Sequence, residues 1–164
     1  MAALARLGIA ATTVEHAPVF TVAESRSLRG VIPGAHSKNL FLVDKKGALF
    51  LVTAAEDAAI DLKHLHNRIG ASGRLSFGKP ELLLAVLGVP PGAVTPFAAI
   101  NDAAGKVTVV LDAALVGAGN VNAHPLVNSA TTTLAARDLV AFLRSTGHEP
   151  KILEIAEAAA ARQL

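Results

Sequence analysis

Leu40-Phe41-Leu42-Val43-Asp44-Lys45-Lys46-Gly47-Ala48-Leu49-Phe50-Leu51-Val52-Thr53 is the stretch from which the fold is read. Leu40 to Val43 is an unbroken apolar run, as expected of a strand covered on both faces. Asp44-Lys45-Lys46-Gly47 has the composition of a reverse turn, with Gly47 free to take positive φ. Ala48 to Thr53 then returns as a second apolar strand. A hairpin across residues 40–53 follows.

Upstream of it, Ala2 to Leu7 reads as a short helix closed at Gly8, and Thr12 to Glu15 as a strand. His16-Ala17-Pro18 turns the chain. Thr21 and Glu24 stand in capping-box register for a helix ending near Arg29-Gly30. Downstream, Asp61 is placed to cap a helix running to Ile69, with Leu62, Leu65 and Ile69 on one face and Gly70 closing it. Arg74 to Phe77 reads as a strand, and Pro80 opens a helix carrying Leu83, Val86 and Leu87 up to Gly88. Val89 to Phe97 is too rich in proline for a sheet interior. Ala98–Ile100 and Val107–Leu111, flanking Asn101–Lys106, predict another hairpin. Leu139, Phe142 and Leu143 mark an amphipathic helix ending at Gly147, and Lys151–Ile155 a last strand. The alanine-rich segment 156–164 reads as a frayed helix. Strands and helices mix without regular βαβ alternation, so the expectation is one α+β domain over residues 1–164 with a mixed sheet.

The 164 residues suffice for one core, and no apolar run approaches the roughly 20 residues that span a bilayer. Met1 to Ala11 lacks a basic flank followed by a long apolar stretch, so no secretory leader and a cytoplasmic location are expected. The absence of cysteine excludes disulfides and thiolate nucleophiles. Net charge is only +2, yet nine basic side chains against four acidic ones fall between Arg26 and Lys79. Such a half favours a polyanionic partner.

Asn120-Val121-Asn122-Ala123-His124-Pro125-Leu126-Val127-Asn128-Ser129 carries the other strong pattern. With period two, Asn120, Asn122 and His124 share one face while Val121 and Ala123 take the other. Pro125 keeps His124 out of the helical region. A half-exposed edge strand and the wall of a polar pocket both fit this alternation. Conventional catalytic signatures are missing. Of the six histidines, His64 and His66 lie two apart, roughly 200° around a helix, and the others show no ligand spacing, so no metal is expected. There is no Gly-x-Ser-x-Gly and no glycine-rich phosphate loop.

What remains is His36-Ser37-Lys38-Asn39-Leu40-Phe41-Leu42, Leu75-Ser76-Phe77, Pro91-Gly92-Ala93-Val94-Thr95-Pro96-Phe97 and Val121-Asn122-Ala123-His124-Pro125-Leu126-Val127-Asn128-Ser129-Ala130-Thr131-Thr132. In this order the four segments resemble the YbaK/ProX family of free-standing aminoacyl-tRNA deacylases, a resemblance that covers roughly Val14 to Ile155. That family is related to the editing domain of prolyl-tRNA synthetase. The resemblance implies a strongly curved mixed sheet flanked by helices and an ester hydrolase without metal or cofactor. Its substrate would be mischarged tRNA(Pro), held by the acceptor end, with transient association with prolyl-tRNA synthetase. The run from His124 to Thr132 is similar to the branch that removes alanine; relatives act on cysteine or serine, and a non-catalytic aminoacyl-tRNA or amino-acid binder is the other alternative. By the same resemblance Lys38, Gly92 and His124 are the catalytic candidates. Asn39, Thr95, Pro96, Phe97, Asn122 and Asn128 are the substrate-binding candidates. Ser129 stands where threonine is expected, and Ala123 where a bulkier residue is common. Gly92 and Pro96 would shape a stiff loop whose N–H groups receive the developing oxyanion.

Overall fold

The computed structural model describes residues 2–17 and 34–155. The helix expected after Thr21 and the alanine-rich segment from Ala156 lie outside the described residues. The elements run α1 (Ala2–Arg6), β1 (Ala11–Glu15), β2 (Ala35–Val43), β3 (Leu49–Ala55), α2 (Leu65–Ile69), β4 (Ser76–Phe77), α3 (Pro80–Leu87), β5 (Val107–Asp112), α4 (Ala113–Val116), β6 (Asn120–Ala123), β7 (Ala130–Ala135), α5 (Ala136–Ser145) and β8 (Lys151–Leu153). Two 3-10 turns, Pro91–Ala93 and Pro96–Asn101, bridge α3 and β5. The strands form one mixed, curled sheet in the order β1-β7-β6-β2-β3-β5-β8, with β4 added to β2. The fold is α+β, with helices flanking the sheet.

The hairpin forms as expected. β2 and β3 pair antiparallel from Ser37 opposite Ala55 to Val43 opposite Leu49. Asp44 holds its turn: one carboxylate oxygen accepts the N–H groups of Lys46 and Ala48 at 2.9 and 2.8 Å, the other that of Ser72 at 2.9 Å. β3 alternates between two cores. Leu49 and Leu51 pack with Phe41 beneath α3, while Phe50, Val52 and Ala54 pack with Leu42 against α2. Each fully buried aliphatic side chain contributes roughly 1.5–3 kcal/mol. A third cluster lies under α1, α4 and α5, where Phe97 meets Phe142 edge-on at 5.4 Å between ring centroids. No helix among the described residues is long and apolar enough to cross a membrane.

Three local expectations are corrected. Ala98–Ile100 is not a strand but part of a 3-10 turn that packs against α3 and α5, and β5 instead pairs in parallel with β3. A short apolar run cannot distinguish these outcomes. The helix expected from Asp61 begins only at Leu65. Asp61 spends its carboxylate on the Lys63 N–H and the His64 ring, and Leu62 stays partly exposed. The strand expected over Arg74–Phe77 reduces to Ser76–Phe77. Gly78 follows it because a Cβ there would lie 2.3 Å from the Phe41 ring.

Asp102 and His148 form a buried staple between the 3-10 turn and the end of α5. His148 Nε2 donates to the carboxylate at 2.8 Å, beside the N–H groups of Val107 and Lys106 at 2.8 and 3.0 Å. Burial pushes the Asp102 carboxyl up, but the His148 bond and the two N–H groups outweigh it and hold it below the usual range. A depressed carboxyl stabilises the fold above the unfolded value, and that stability is lost as pH falls through the folded one. Asp102→Ala should therefore cost about 2–4 kcal/mol in urea unfolding at pH 7. The gap from wild type should shrink below about pH 4, where the carboxyl is protonated in the unfolded chain. A gap that does not change with pH would refute the assignment.

Candidate active site

β2 has different neighbours along one edge. Its start pairs in parallel with β6, Ala35 beside Val121 and His36 beside Asn122, whereas its end pairs with β4 through Leu42 and Val43. Among the described residues no strand lies on that edge between these pairings. A small cleft opens there, lined by His36, Ser37, Asn39, Asn122, Ala123, His124 and Thr131. Because β2 and β6 part at this point, residues from both sides of the β2 pleat reach the opening.

The predicted alternation in β6 is present. Val121 and Ala123 face the core with Leu134, while Asn122 pairs across the ladder with Thr133, whose hydroxyl donates to the Asn122 side chain. Two hydroxyls fix the end of β6. Ser37 Oγ donates to the Asn122 carbonyl at 2.6 Å, and the fully buried Thr95 donates from Oγ1 to the His124 carbonyl at 2.5 Å. The same Thr95 oxygen accepts the Phe97 N–H at 3.3 Å. Asn39 is oriented by the Thr53 hydroxyl, which donates to its Oδ1 at 2.6 Å.

His124 is half-buried, with Nδ1 3.1 Å from the Ala130 carbonyl. A carbonyl only accepts, which places the ring proton on Nδ1 and leaves Nε2 a lone pair. Burial pushes this imidazole below its ordinary value, the Ala130 bond pulls the other way, and nearby His16 pushes it further down. His124 is therefore uncharged at neutral pH and serves as a polar, not a cationic, group.

The remaining candidates are not among the residues that line this cleft. Lys38 takes the His36 side of the β2 pleat, and its ammonium donates to the Ala58 carbonyl on the segment after β3; it does not line the cleft. Gly92 is half-buried in the Pro91–Ala93 turn and not among the positive-φ glycines, so its backbone is ordinary. Pro96 and Phe97 are buried, Phe97 with its ring in the core against Phe142. Asn128 sits half-buried in the turn between β6 and β7. Sequence reasoning missed His16, His36, Ser37 and Thr131. Their partners lie up to 115 residues away, and serine and threonine carry no spacing signal. Among the described residues no group of three histidine or acidic side chains is arranged to hold a metal ion.

Residues 16–142 match the family model described as the aminoacyl-tRNA editing domain. The chain is 40% identical over 156 residues to the prolyl-tRNA editing protein ProX of Acetoanaerobium sticklandii, covering 94% of each chain. It is 42% identical over 152 residues to the prolyl-tRNA synthetase associated domain-containing protein 1 of Danio rerio, covering 92% of this chain and 82% of that one. A crystal structure assigned as a trans-editing enzyme for prolyl-tRNA synthetase superposes with a TM-score of 0.71 at 24% identity, over 96% of this chain and 94% of the other. That likeness is one of overall fold. The chain belongs to the aminoacyl-tRNA editing domain family and is an editing deacylase.

Proposed function

We propose that this protein clears mischarged tRNA(Pro) in the cytoplasm, removing alanine by hydrolysis of its ester to the terminal ribose. The observation that carries this is the cleft where β2 and β6 part, small and walled by hydrogen-bonding groups. The chemistry needs no nucleophile of the serine–base type. An aminoacyl ester is already activated, so positioning and stabilisation of the developing oxyanion supply most of the rate.

His124 offers its Nε2 lone pair to a ribose hydroxyl or the substrate amine, and Asn39 and Asn122 add polar contacts. Lys38 keeps two N–H groups beyond the one donated to Ala58, enough to hold a phosphate or ribose oxygen of the 3′ terminus. In the proline loop the N–H groups of Ala93, Phe97 and Ala98 are bonded internally. The oxyanion role therefore falls to the N–H groups near Gly92 and Val94. Phe97 and Pro96 shape the loop from beneath, and Asn128 supports the turn behind His124. The excess of basic residues between Arg26 and Lys79 favours binding of the acceptor stem, and prolyl-tRNA synthetase is the natural transient partner. A space sized for alanine excludes the larger proline ring by overlap, while the synthetase gains only ~1–3 kcal/mol from a missing methylene.

Incubation with tRNA(Pro) charged separately with alanine, proline, serine and cysteine should release alanine fastest. Preferential loss of cysteine would reassign the substrate, and loss of none would refute the activity. Lys38→Ala should lower kcat by about 10²–10³-fold while the fold stays intact by circular dichroism; wild-type turnover would remove its role. Thr95→Val leaves the His124 carbonyl and Phe97 N–H without their partner and should cost about 1–3 kcal/mol of stability together with most of the activity. Thr95→Ser should retain both, and equal behaviour of the two variants would contradict the clasp.

A further inference from the structure

His16 is the feature that the proposed chemistry leaves unused. It follows the edge strand β1, and its N–H donates to the Ser129 carbonyl at 2.9 Å, which pins it beside the β6–β7 turn. Its Nδ1 lies 2.7 Å from the Ala17 carbonyl, so that nitrogen carries the ring proton. Its Nε2 lies 2.8 Å from Thr131 Oγ1. In the neutral ring Nε2 can only accept, so the Thr131 hydroxyl donates to it. Thr131 lines the cleft, and the His16 and His124 rings are 6.5 Å apart between centroids.

A hydroxyl whose proton is committed in one direction presents lone pairs in the others. With its proton on His16, Thr131 is an acceptor toward the cleft, suited to an amine or a ribose hydroxyl of the substrate. If Nε2 bore the proton, the bond would reverse, and Thr131 would be free to aim its own proton at the same substrate donor. The two arrangements differ by an attraction against a repulsion.

We propose that His16 is a positioning residue of the deacylase cleft: it accepts the Thr131 hydroxyl proton and thereby fixes Thr131 as an acceptor for the donor group of the aminoacyl terminus. This rests on the deacylase assignment above. His16 touches no reacting atom and acts through Thr131. The titratable groups of the cleft wall among the described residues are His36 on β2 and His124 after β6, with no carboxylate between them.

Two measurements test it. In the free protein at neutral pH, imidazole ¹⁵N spectra should show His16 as the Nδ1–H tautomer, with its Nε2 resonance moved by Thr131→Val. An Nε2–H tautomer would overturn the proposal and leave the deacylase assignment standing. In deacylation assays His16→Ala and Thr131→Val should each lower kcat/KM by about five- to tenfold, and the double variant should be no worse than either. His16→Gln, which keeps an acceptor near the place of Nε2, should recover most of the loss at an unchanged thermal midpoint. Additive losses, or His16→Gln no better than His16→Ala, would overturn the role. A wild type inert toward every charged tRNA would overturn the deacylase assignment, and the proposal with it.

Discussion

Two backbone carbonyls at the end of β6 set the terms for this molecule. Those of Asn122 and His124 stand at the end of β6, on residues that are buried and half-buried. Leaving such groups unpaired costs about as much as a lost hydrogen bond. Ser37 and Thr95 reach across from β2 and from the proline loop to satisfy them. The hydroxyls thus tie together segments distant in sequence without closing the sheet, and the cleft is the space left between them. Pro125 follows at once, and Leu126 takes φ 71, a left-handed backbone rare for a branched apolar residue. Its side chain packs against two cores, which holds that turn.

The polarity of the cleft follows from the same geometry. Every hydroxyl and amide described there is oriented by a partner, and His124 is kept neutral by burial and by a second imidazole. The result is a fixed array of dipoles around a small space, the kind of preorganised environment in which an activated ester needs little further chemistry. The Lys38 ammonium stands outside it, on the Ala58 carbonyl. That separation suits a ligand with a neutral reacting end and a charged stem.

Much of this was legible in the residues. The unbroken apolar runs on either side of Asp44–Gly47 specified the central hairpin, because a strand covered on both faces has no room for alternation. The Asn120–His124 alternation separated the polar face of β6 from its core face, and glycines after Ile69 and Leu87 marked helix ends that the left-handed caps confirm. What stayed hidden depended on pairing across distance. Ala98–Ile100 is as apolar as a strand yet forms a 3-10 turn, and Asp61 bonds a histidine in place of capping a helix. Thr95 as a clasp and His16 as the partner of Thr131 left no local trace, since each acts on a residue 29 or 115 positions away.

The most direct test is where the aminoacyl terminus binds. Titration of ¹⁵N-labelled protein with a non-hydrolysable alanyl-amide analogue of the terminal adenosine should move the amide resonances of Asn39, Asn122, His124 and Thr131. Shifts confined to another surface, such as the groove beside Leu7 and Ile100, would contradict the account.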